Sequence, residues 1–317
     1  MSQISIILPT YNVEKYIARA LESCINQTFK DIEIIVVDDL GNDKSIDIAK
    51  EYASKDNRIK IIHNEENLGT FASRNIGVLN SSSPYIMFLD PDDYLELNAC
   101  EKCIKILNKN DKIDLIWFDF LYHSNNTIIK NKILQDNIFS INEYCQYVIS
   151  HDGLCYWTLC SKIIKKEIYA KALTSLAYIN TKLTMAEDAL MYFFIIQHCK
   201  NIQTSSLNIY HYYQNSTSSM LTNNKKRIEN YIKQETQIIK IMNNYLKNNK
   251  LDTLLFIFLA ILMQNIKFGQ NERKIQLYKK NYLTYLAYFK LPLKINRKRI
   301  ILLKKYLKFI FNKKFYQ

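Results

Sequence analysis

The first ninety residues alternate between short apolar runs and segments with helical periodicity. The apolar runs are rich in β-branched residues and end at polar or turn residues; they cover 4–9, 32–39, 58–63 and 85–90. Between them, apolar side chains recur at helical spacing over 14–27, 44–54 and 70–80. Strands that are apolar on both faces belong in a parallel sheet covered by helices on both sides. This alternation predicts an α/β fold with a Rossmann-like, mostly parallel sheet.

Polar residues follow these predicted strands at the points where the strands end. Thr10 and Tyr11 follow the first strand, Asp38 and Asp39 close the second, and an acidic group begins at Asp90. Open sheets of this kind bind ligands at the carboxyl ends of their strands. The pattern therefore predicts a ligand site along one edge of the sheet.

The acidic group, in the stretch YIMFLDPDDYLE, places Asp90, Asp92 and Asp93 within four positions. Neighbouring carboxylates repel and lose hydration when half buried, so such a cluster persists only where something offsets that cost, and a cation is the obvious candidate. Asp90-Pro91-Asp92 suits a hard divalent cation that shares its remaining ligands with phosphate oxygens. Alternatively, acids here complement the dipole of the helix that follows, and we assign that role to Asp93 and Glu96.

Two further motifs carry groups that suit a nucleotide. In PTYN, Pro9 ends the strand, and Thr10 and Tyr11 lie where a planar ring could be held. In VVDDLGND, a carboxylate could accept a hydrogen bond from a pyrimidine imide or from ribose hydroxyls. Strand alternation lets only one of Asp38 and Asp39 face a base, and both stay open. Asp43 is the better cap for the helix that starts near residue 44.

Cations and aromatic rings suited to a substrate occur further along the chain. In NLGTFASRN, Gly69 permits a tight turn, and Arg74 follows on a helix, where it could point at a diphosphate or base or be solvated. Trp157 could stack on a sugar or pack in the core. Glu187 and Asp188 precede an apolar helical run, where acids usually serve as caps or dipole complements.

The motifs PTYN, VVDDLGND, NLGTFASRN and FLDPDD, in this order, resemble the nucleotide-sugar-binding half of family 2 glycosyltransferases with the GT-A fold. The resemblance covers about the first hundred residues. It implies a uridine pocket and a divalent cation, Mn²⁺ or Mg²⁺. The implied nucleotide-sugar contacts are Pro9, Thr10, Tyr11, Asp38 or Asp39, Arg74, Asp90 and Pro91, and the implied metal ligands are Asp92, Asp90 and His211.

The resemblance also implies an inverting transfer. An acceptor hydroxyl must lose its proton as it attacks the anomeric carbon, so a general base is required. The family pattern places that base in an acidic pair before a helix, which implies Asp188 as the base and Glu187 as a supporting or acceptor-contacting group. Trp157 then belongs to the acceptor side.

A closer resemblance to bacterial lipooligosaccharide β-1,3-galactosyltransferases concerns the substrates. It implies UDP-galactose as donor and an N-acetylhexosamine of a lipid-linked glycan as acceptor. A UDP-glucose or UDP-N-acetylhexosamine transferase of capsule or exopolysaccharide synthesis stays open. So does a non-catalytic protein that binds sugar nucleotides.

Charge divides the chain near residue 220. From 221 onward there are 22 Lys and Arg against 4 Asp and Glu, whereas residues 1–220 carry 21 against 26. We expect a GT-A domain over 1–220, with nucleotide-sugar binding in 1–100 and the acceptor side in 101–220. A basic helical C-terminal region is expected over 221–317.

The amphipathic pattern of 295–317 favours an anionic membrane surface, with a packed helical cap as the alternative. No recognition motif for nucleic acid accompanies the charge, so none is expected as partner. The N-terminus is interpreted as a core strand rather than a signal peptide, and the apolar run 253–263 as too short to span a bilayer. The seven cysteines lack disulfide-framework spacing. These features predict a cytoplasmic protein at the inner face of the cytoplasmic membrane.

Overall fold

The computed structural model of the chain describes residues 2–124, 127–130, 134–151, 157–214 and 223–278. These residues form two compact units. One comprises Met1–Ile141 with Thr158–Leu221, and the other Asn142–Trp157 with the chain from Thr222 onward. Residues next to position 220 lie outside the described ones, so the boundary expected there stays a prediction.

The first unit is built on a mixed sheet of ten strands. The strands are β1 (Ile4–Thr10), β2 (Ile32–Asp38), β3 (Ile59–His63), β4 (Tyr85–Phe88), β5 (Tyr94–Leu95), β6 (Leu115–Ser124), β7 (Thr127–Lys130), β8 (Asn137–Ser140), β9 (Lys162–Lys165) and β10 (Asn201–Tyr213). The described helices of the chain are α1 (Ile17–Ile25), α2 (Ser45–Ala53), α3 (Thr70–Leu79), α4 (Ala99–Leu107), α5 (Ile141–Ser150), α6 (Lys166–Thr174), α7 (Glu187–His198), α8 (Lys225–Asn248) and α9 (Thr253–Tyr278).

The sheet order is β3-β2-β1-β4-β9-β6-β10-β5, with β7 beside β6 and β8 beside β10. The first four strands are parallel, which confirms the predicted α/β architecture. Beyond β4 the sheet becomes mixed, because β9 runs antiparallel to both β4 and β6. Every residue of β2 is buried, as expected for a strand covered on both faces.

The parallel register aligns the strand ends that were predicted to form a site. Thr10 pairs with Asp38, and Asp38 pairs with His63. A main-chain hydrogen bond from the Asp39 N–H to the Thr10 carbonyl continues this edge by one residue. The polar groups after β1 and β2 therefore lie side by side.

The helix expected directly after the acidic group begins later, at Ala99. The short strand β5 intervenes and pairs with β10, so that Tyr94 lies opposite His211. The helix-start role assigned to Asp93 and Glu96 is therefore wrong. Both acids precede the first turn, where the dipole acts, and the acid in that turn is Glu101. Pairing with a strand more than a hundred residues away produced this difference.

Gly77 in α3 is expected to be intolerant of any side chain. A Cβ atom there would lie 2.4 Å from Cγ2 of Ile7 and 3.2 Å from Cγ2 of Val37, inside the helix-to-sheet packing. Gly77→Ala should therefore lower the free energy of unfolding by about 2 kcal/mol, measured by urea denaturation. Gly269→Ala in α9 is the matched control, since the nearest atom would be Nη2 of Arg273 at 3.6 Å. Equal losses in the two variants would contradict this packing.

In the second unit, α8 and α9 pack against each other through buried aliphatic and aromatic residues. The buried residues of α8 include Ile228, Tyr231, Ile238 and Met242, and those of α9 include Phe258, Leu259, Leu262 and Ile266. An ion pair joins the helices, with Nη2 of the partly exposed Arg273 2.5 Å from Oε1 of the buried Glu235. The predicted helical C-terminal region is thus confirmed over 225–278, and the basic stretch 295–317 lies outside the described residues.

The apolar run 253–263 is part of the 26-residue helix α9. By length and composition, Thr253–Lys274 is apolar enough to cross a membrane, and a third of its most apolar window is buried in the protein. It is the one such helix among the described residues. The length of the run 253–263 therefore does not exclude a membrane span, because the helix that contains the run is long enough.

Candidate active site

Asp39 holds the turn that starts α3. Its carboxylate accepts hydrogen bonds from the N–H groups of Leu68 (2.8 Å) and Gly69 (2.9 Å) and from Nδ2 of Asn64 (2.9 Å). Gly69 has φ of +86°, and a Cβ atom there would also lie 3.1 Å from the Leu183 carbonyl oxygen. Only glycine suits such a position. Asp39 and Gly69 together fix the start of the helix that carries Arg74.

Asp38 is engaged differently. Oδ2 lies 2.8 Å from Nδ1 of His63, and Oδ1 accepts the N–H of Leu40 at 3.0 Å. Asp43 accepts the Ser45 N–H at the start of α2 (2.9 Å), as the capping interpretation expected. Both Asp38 and Asp39 are buried and have protein partners. Which of them contacts a base stays a prediction.

The PTYN turn presents one ring to solvent. Thr10 is buried, and its hydroxyl donates to the Leu8 carbonyl at 3.0 Å. The Tyr11 side chain is about half exposed, at 49%. Pro9 is partly buried at the end of β1. A planar ligand could therefore stack on Tyr11, while the hydrogen bond from the Thr10 hydroxyl stabilises the turn.

Arg74 is the centre of the candidate site. It is buried, at 3% exposure, and its Nη2 lies 2.8 Å from Oδ1 of Asp90. Its Nη1 lies 3.3 Å from Oε1 of Glu187 and also contacts Oδ1 of Asp188. One guanidinium thus joins the carboxylate that follows β4 to the acidic pair that starts α7. The two groups are about a hundred residues apart in sequence.

The start of α7 is placed by its surroundings. Ala186 adopts a left-handed conformation with φ of 60°, and Glu187 and Asp188 form the first turn. The following residues, Ala189 to Ile196, are all buried, so the helix has little freedom to shift. The Leu159 N–H donates to Oδ2 of Asp188 at 3.2 Å. Both oxygens of the Asp188 carboxylate are therefore held.

Glu187 and Asp188 are buried side by side next to Arg74, and the pKa values of both carboxyl groups are raised. Burial, together with the charge of Asp188, raises the pKa of Glu187 to about 8, although Arg74 acts in the opposite direction. Burial also raises the pKa of Asp188, again against Arg74. Near neutral pH the acidic pair therefore retains a proton, which favours Glu187 as the protonated member and Asp188 as the ionised one.

Glu187 should make stability fall as pH rises. Its pKa in the folded state, about 8, lies above the ordinary value of 4.5, so the folded state binds more protons between these values. Stability is then lost as pH rises through that window. Glu187→Gln cannot ionise, so the decline in melting temperature between pH 5 and pH 8.5 should be several degrees smaller than in the wild type. Glu229→Gln, at an exposed position, should keep the wild-type slope. Parallel curves for all three proteins would contradict this.

Asp93 links the loop of residues 90–93 to β10 through hydrogen bonds. It is buried and accepts hydrogen bonds from the Tyr210 hydroxyl (2.6 Å) and the Tyr213 N–H (2.7 Å). Burial, then the charges of Asp92 and Asp90, raise its pKa well above the usual range. The Asp90 N–H donates to the same Tyr210 hydroxyl at 3.2 Å. Asp93 therefore has a structural role.

Arg19, which lies on α1, stabilises the loop that contains Asp90, Pro91 and Asp92. Its Nη2 lies 2.5 Å from the main-chain oxygen of Asp92. Its guanidinium lies over the rings of Tyr94 and Tyr213, 4.8 Å and 4.3 Å from their centroids. Pro91, between the two acids, is buried. The Asp90-Pro91-Asp92 backbone is thus held by Arg19 and by Tyr210.

The predicted trio of metal ligands, Asp90, Asp92 and His211, is not assembled. Nε2 of His211 lies 3.0 Å from Oε1 of Glu96, and Nδ1 lies 2.8 Å from Nε2 of His123. No group of three or more His, Cys, Asp or Glu side chains in the described part of the chain is placed to hold a metal ion. Because Glu96 and His123 engage both nitrogens of His211, only Asp90 and Asp92 of the trio remain as candidate metal ligands. One or two carboxylates fit a cation whose other ligands are phosphate oxygens and water.

The structure also places Trp157, and it shows three site residues that no sequence motif selected. Trp157 is half-buried and belongs to the second unit, so its stacking on a sugar stays a prediction. Sequence reasoning missed Arg19, Cys160 and Tyr210. Cys160 lies three residues after Trp157, but no spacing rule marks it. All six described cysteines are buried free thiols.

Comparison with solved structures identifies the fold as GT-A. Staphylococcus aureus TarS 1–349 superposes with a TM-score of 0.64 at 19% identity, covering 97% of this chain and 80% of that one. Its complex with UDP-GlcNAc gives 0.63 at 18% identity, covering 97% and 79%. A mannosyltransferase from Pyrobaculum calidifontis, in complex with GDP-Man and Mn²⁺, gives 0.57 at 12% identity, covering 97% and 85%.

The sequence pattern described as Glycosyl transferase family 2 matches residues 5–167, just over half of the chain. This chain therefore belongs to glycosyltransferase family 2.

Among curated relatives, an uncharacterized glycosyltransferase of Haemophilus influenzae is 41% identical over 110 residues, covering 35% of this chain and 44% of the relative. The putative glycosyltransferase EpsH of Bacillus subtilis is 44% identical over 113 residues, covering 36% and 32%. The uncharacterized glycosyltransferase EpsJ of the same organism is 26% identical over 246 residues, covering 76% and 70%. The matches thus span less than half of the first two relatives.

Proposed function

We propose that this chain transfers a hexose from a UDP-sugar to an acceptor hydroxyl with inversion at the anomeric carbon. The observation that carries the proposal is the guanidinium of Arg74, which holds Asp90 on one nitrogen and Asp188 on the other. Asp90 belongs to the half expected to bind the nucleotide sugar, and Asp188 to the half expected to need a base. Their convergence supplies the two groups that such a transfer requires.

In this mechanism Asp188 takes the proton of the acceptor hydroxyl. The oxygen attacks the anomeric carbon opposite the UDP group, and the bond between that carbon and the β-phosphate oxygen breaks. The electron pair leaves with UDP, and the configuration inverts in one step. Burial raises the pKa of Asp188, which makes it a better proton acceptor than an exposed aspartate. Arg74 and the Leu159 N–H keep its carboxylate oriented.

The uridine is proposed to lie against the PTYN turn. Tyr11 is exposed there, and Asp38 and Asp39 lie beside it at the end of β2. The main chain of Pro9 and Thr10 shapes the turn, and Arg74 and Asp90 lie toward the diphosphate and ribose. Either aspartate could accept the imide N–H of uracil with a remaining lone pair.

We propose that the reaction needs Mn²⁺ or Mg²⁺. Carboxylates outnumber cations around Arg74, so a diphosphate would meet a negatively charged surface without a further cation. Asp92 and Asp90 would hold the ion and share it with the phosphates. When bound, such an ion neutralises the charge that develops on the leaving diphosphate. The Mn²⁺ complex of the Pyrobaculum calidifontis mannosyltransferase supports the proposal.

Galactose is the first candidate for the donor sugar, and a β-1,3 linkage to an N-acetylhexosamine of a lipid-linked lipooligosaccharide is the first candidate for the product. Both follow from the sequence resemblance. A second candidate donor is UDP-N-acetylglucosamine, because TarS was solved with UDP-GlcNAc bound. Capsule or exopolysaccharide glycans are then the corresponding acceptors.

We further propose association with the anionic inner face of the cytoplasmic membrane. The net charge of +18 beyond residue 220 and the long apolar helix α9 support it. Vesicle sedimentation with and without anionic lipid tests the association directly.

A screen of UDP-sugars with and without Mn²⁺ tests the proposed reaction, with UDP release and product mass as readouts. Asp92→Asn should lower metal-stimulated UDP release about a hundredfold and raise the Mn²⁺ concentration that is needed, because one ligand loses its charge. Asp111→Asn, at an exposed position, should retain full activity. If no UDP-sugar yields UDP or product, a non-catalytic sugar-nucleotide-binding protein becomes the better description.

A further inference from the structure

A segment of residues 158–162, which is buried from Leu159 onward, contacts both carboxylates that Arg74 joins. The Leu159 N–H donates to Oδ2 of Asp188 at 3.2 Å, and the Cys160 S–H donates to Oδ2 of Asp90 at 3.0 Å. The other oxygen of each carboxylate, Oδ1, contacts Arg74. Each carboxylate is therefore held between Arg74 on one oxygen and adjacent residues of this segment on the other.

Lys162 gives the segment its shape. The side chain is completely buried, and its Nζ donates to the Thr158 carbonyl at 2.5 Å. The ammonium also lies 5.3 Å from the ring centroids of both Trp117 and Tyr192. A buried ammonium needs such compensation. The bond from Lys162 back to Thr158 closes a turn around Leu159 and Cys160.

Two backbone features anchor this turn to the sheet. Ser161 has a positive φ of 54°, which reverses the chain just before β9. Its carbonyl accepts the Phe118 N–H of β6 at 3.0 Å. The turn is therefore fixed to the sheet, and the donors of Leu159 and Cys160 are fixed with it.

We propose that Cys160 is a positioning residue that orients Asp90 toward Arg74, within a buried turn that sets the separation of Asp90 and Asp188. The proposal rests on the proposed glycosyl transfer, in which these carboxylates serve the donor and the base. Asp90 otherwise has only one of its oxygens directed by Arg74, and the thiol fixes the plane of the carboxylate by engaging the second.

The matched experiment compares loss of the thiol at two buried positions. Cys160→Ala removes the donor to Asp90, Cys160→Ser keeps a donor, and Cys103→Ala removes a buried thiol from α4. We expect kcat to fall about tenfold in Cys160→Ala, with recovery to within about threefold of wild type in Cys160→Ser. KM for the acceptor should stay within about twofold, and Cys103→Ala should change stability without changing kcat. Equal kcat in Cys160→Ala and Cys103→Ala, or no recovery with serine, would overturn the proposal.

A second measurement does not depend on the reaction. In a double-mutant cycle of Cys160→Ala and Asp90→Ala, the unfolding equilibrium constants from urea denaturation should be coupled by about fivefold. If the two substitutions change the unfolding equilibrium constant independently, so that their factors multiply in the double variant, the contact between the two side chains is contradicted. If the wild type transfers no sugar but the cycle shows coupling, the proposed function fails while the positioning contact stands.

Discussion

Asp188→Asn should lower kcat about a thousandfold while the affinity for UDP stays within about threefold of wild type. An amide is close in size to the carboxylate, and its one oxygen can still accept a hydrogen bond from Arg74, so most of the site should persist although the bond from the Leu159 N–H is lost. It cannot take the proton of an acceptor hydroxyl. Initial rates of UDP release at saturating donor measure the loss, and calorimetry with UDP measures the binding.

Glu187→Gln provides the control for this prediction. Burial and the charge of Asp188 raise the pKa of Glu187 to about 8, so the wild-type side chain is largely protonated at pH 7 and glutamine imitates it. We expect at least a tenth of the wild-type kcat. A larger loss in Glu187→Gln than in Asp188→Asn would move the base to Glu187, and full transfer by Asp188→Asn would contradict the proposed mechanism.

Arg74→Met should cause the largest loss of stability, about 4 kcal/mol in the free energy of unfolding at pH 7, together with loss of transfer. The variant leaves Asp90, Glu187 and Asp188 without the cation that lies between them. Arg74→Lys keeps the charge, but one ammonium cannot hold Asp90 and the acidic pair on separate nitrogens. It should recover part of the stability and little of kcat.

The pH dependence of the Arg74→Met deficit tests its electrostatic cause. Arg74 opposes the rise in the pKa values of Glu187 and Asp188, so without this cation both pKa values rise further and stability is lost as pH rises. The deficit relative to wild type should therefore shrink as pH falls toward 5 in urea unfolding. Lys105→Met, which breaks an exposed pair with Glu101, should leave the free energy of unfolding nearly unchanged. A deficit at Arg74 of similar size would refute the buried cluster.

The fold of the first hundred residues was accessible because its signals are local. Apolar runs such as 32–39 and helical spacing such as 70–80 are set by neighbours in sequence, and β2 and α3 lie where they predict. The two-residue strand β5 was missed because nothing in Tyr94–Leu95 shows that it pairs with β10. The misassigned role of Asp93 followed from that omission, since Tyr210 and Tyr213 engage it through the same pairing.

The candidate site was also predictable only in part, because local motifs select residues but not their contacts. Asp90, Arg74 and Asp188 were each selected from motifs, but their meeting depends on α3, β4 and α7 packing together. His211 was selected as a metal ligand by position, whereas its nitrogens are engaged by Glu96 and His123. Cys160 carried no signal, because a thiol becomes a donor to Asp90 only through the burial and direction of β9.

The sequence by itself determined the first four strands, the helices between them and the edge on which the polar motifs lie, because the ends of neighbouring parallel strands lie at the same edge of a sheet. Only the tertiary structure decided which charges touch, which carboxyl group keeps its proton, and which backbone turn holds Asp90 and Asp188. Those properties depend on separations of a few ångströms and on burial. Both are set by segments about a hundred residues apart, which no local pattern encodes.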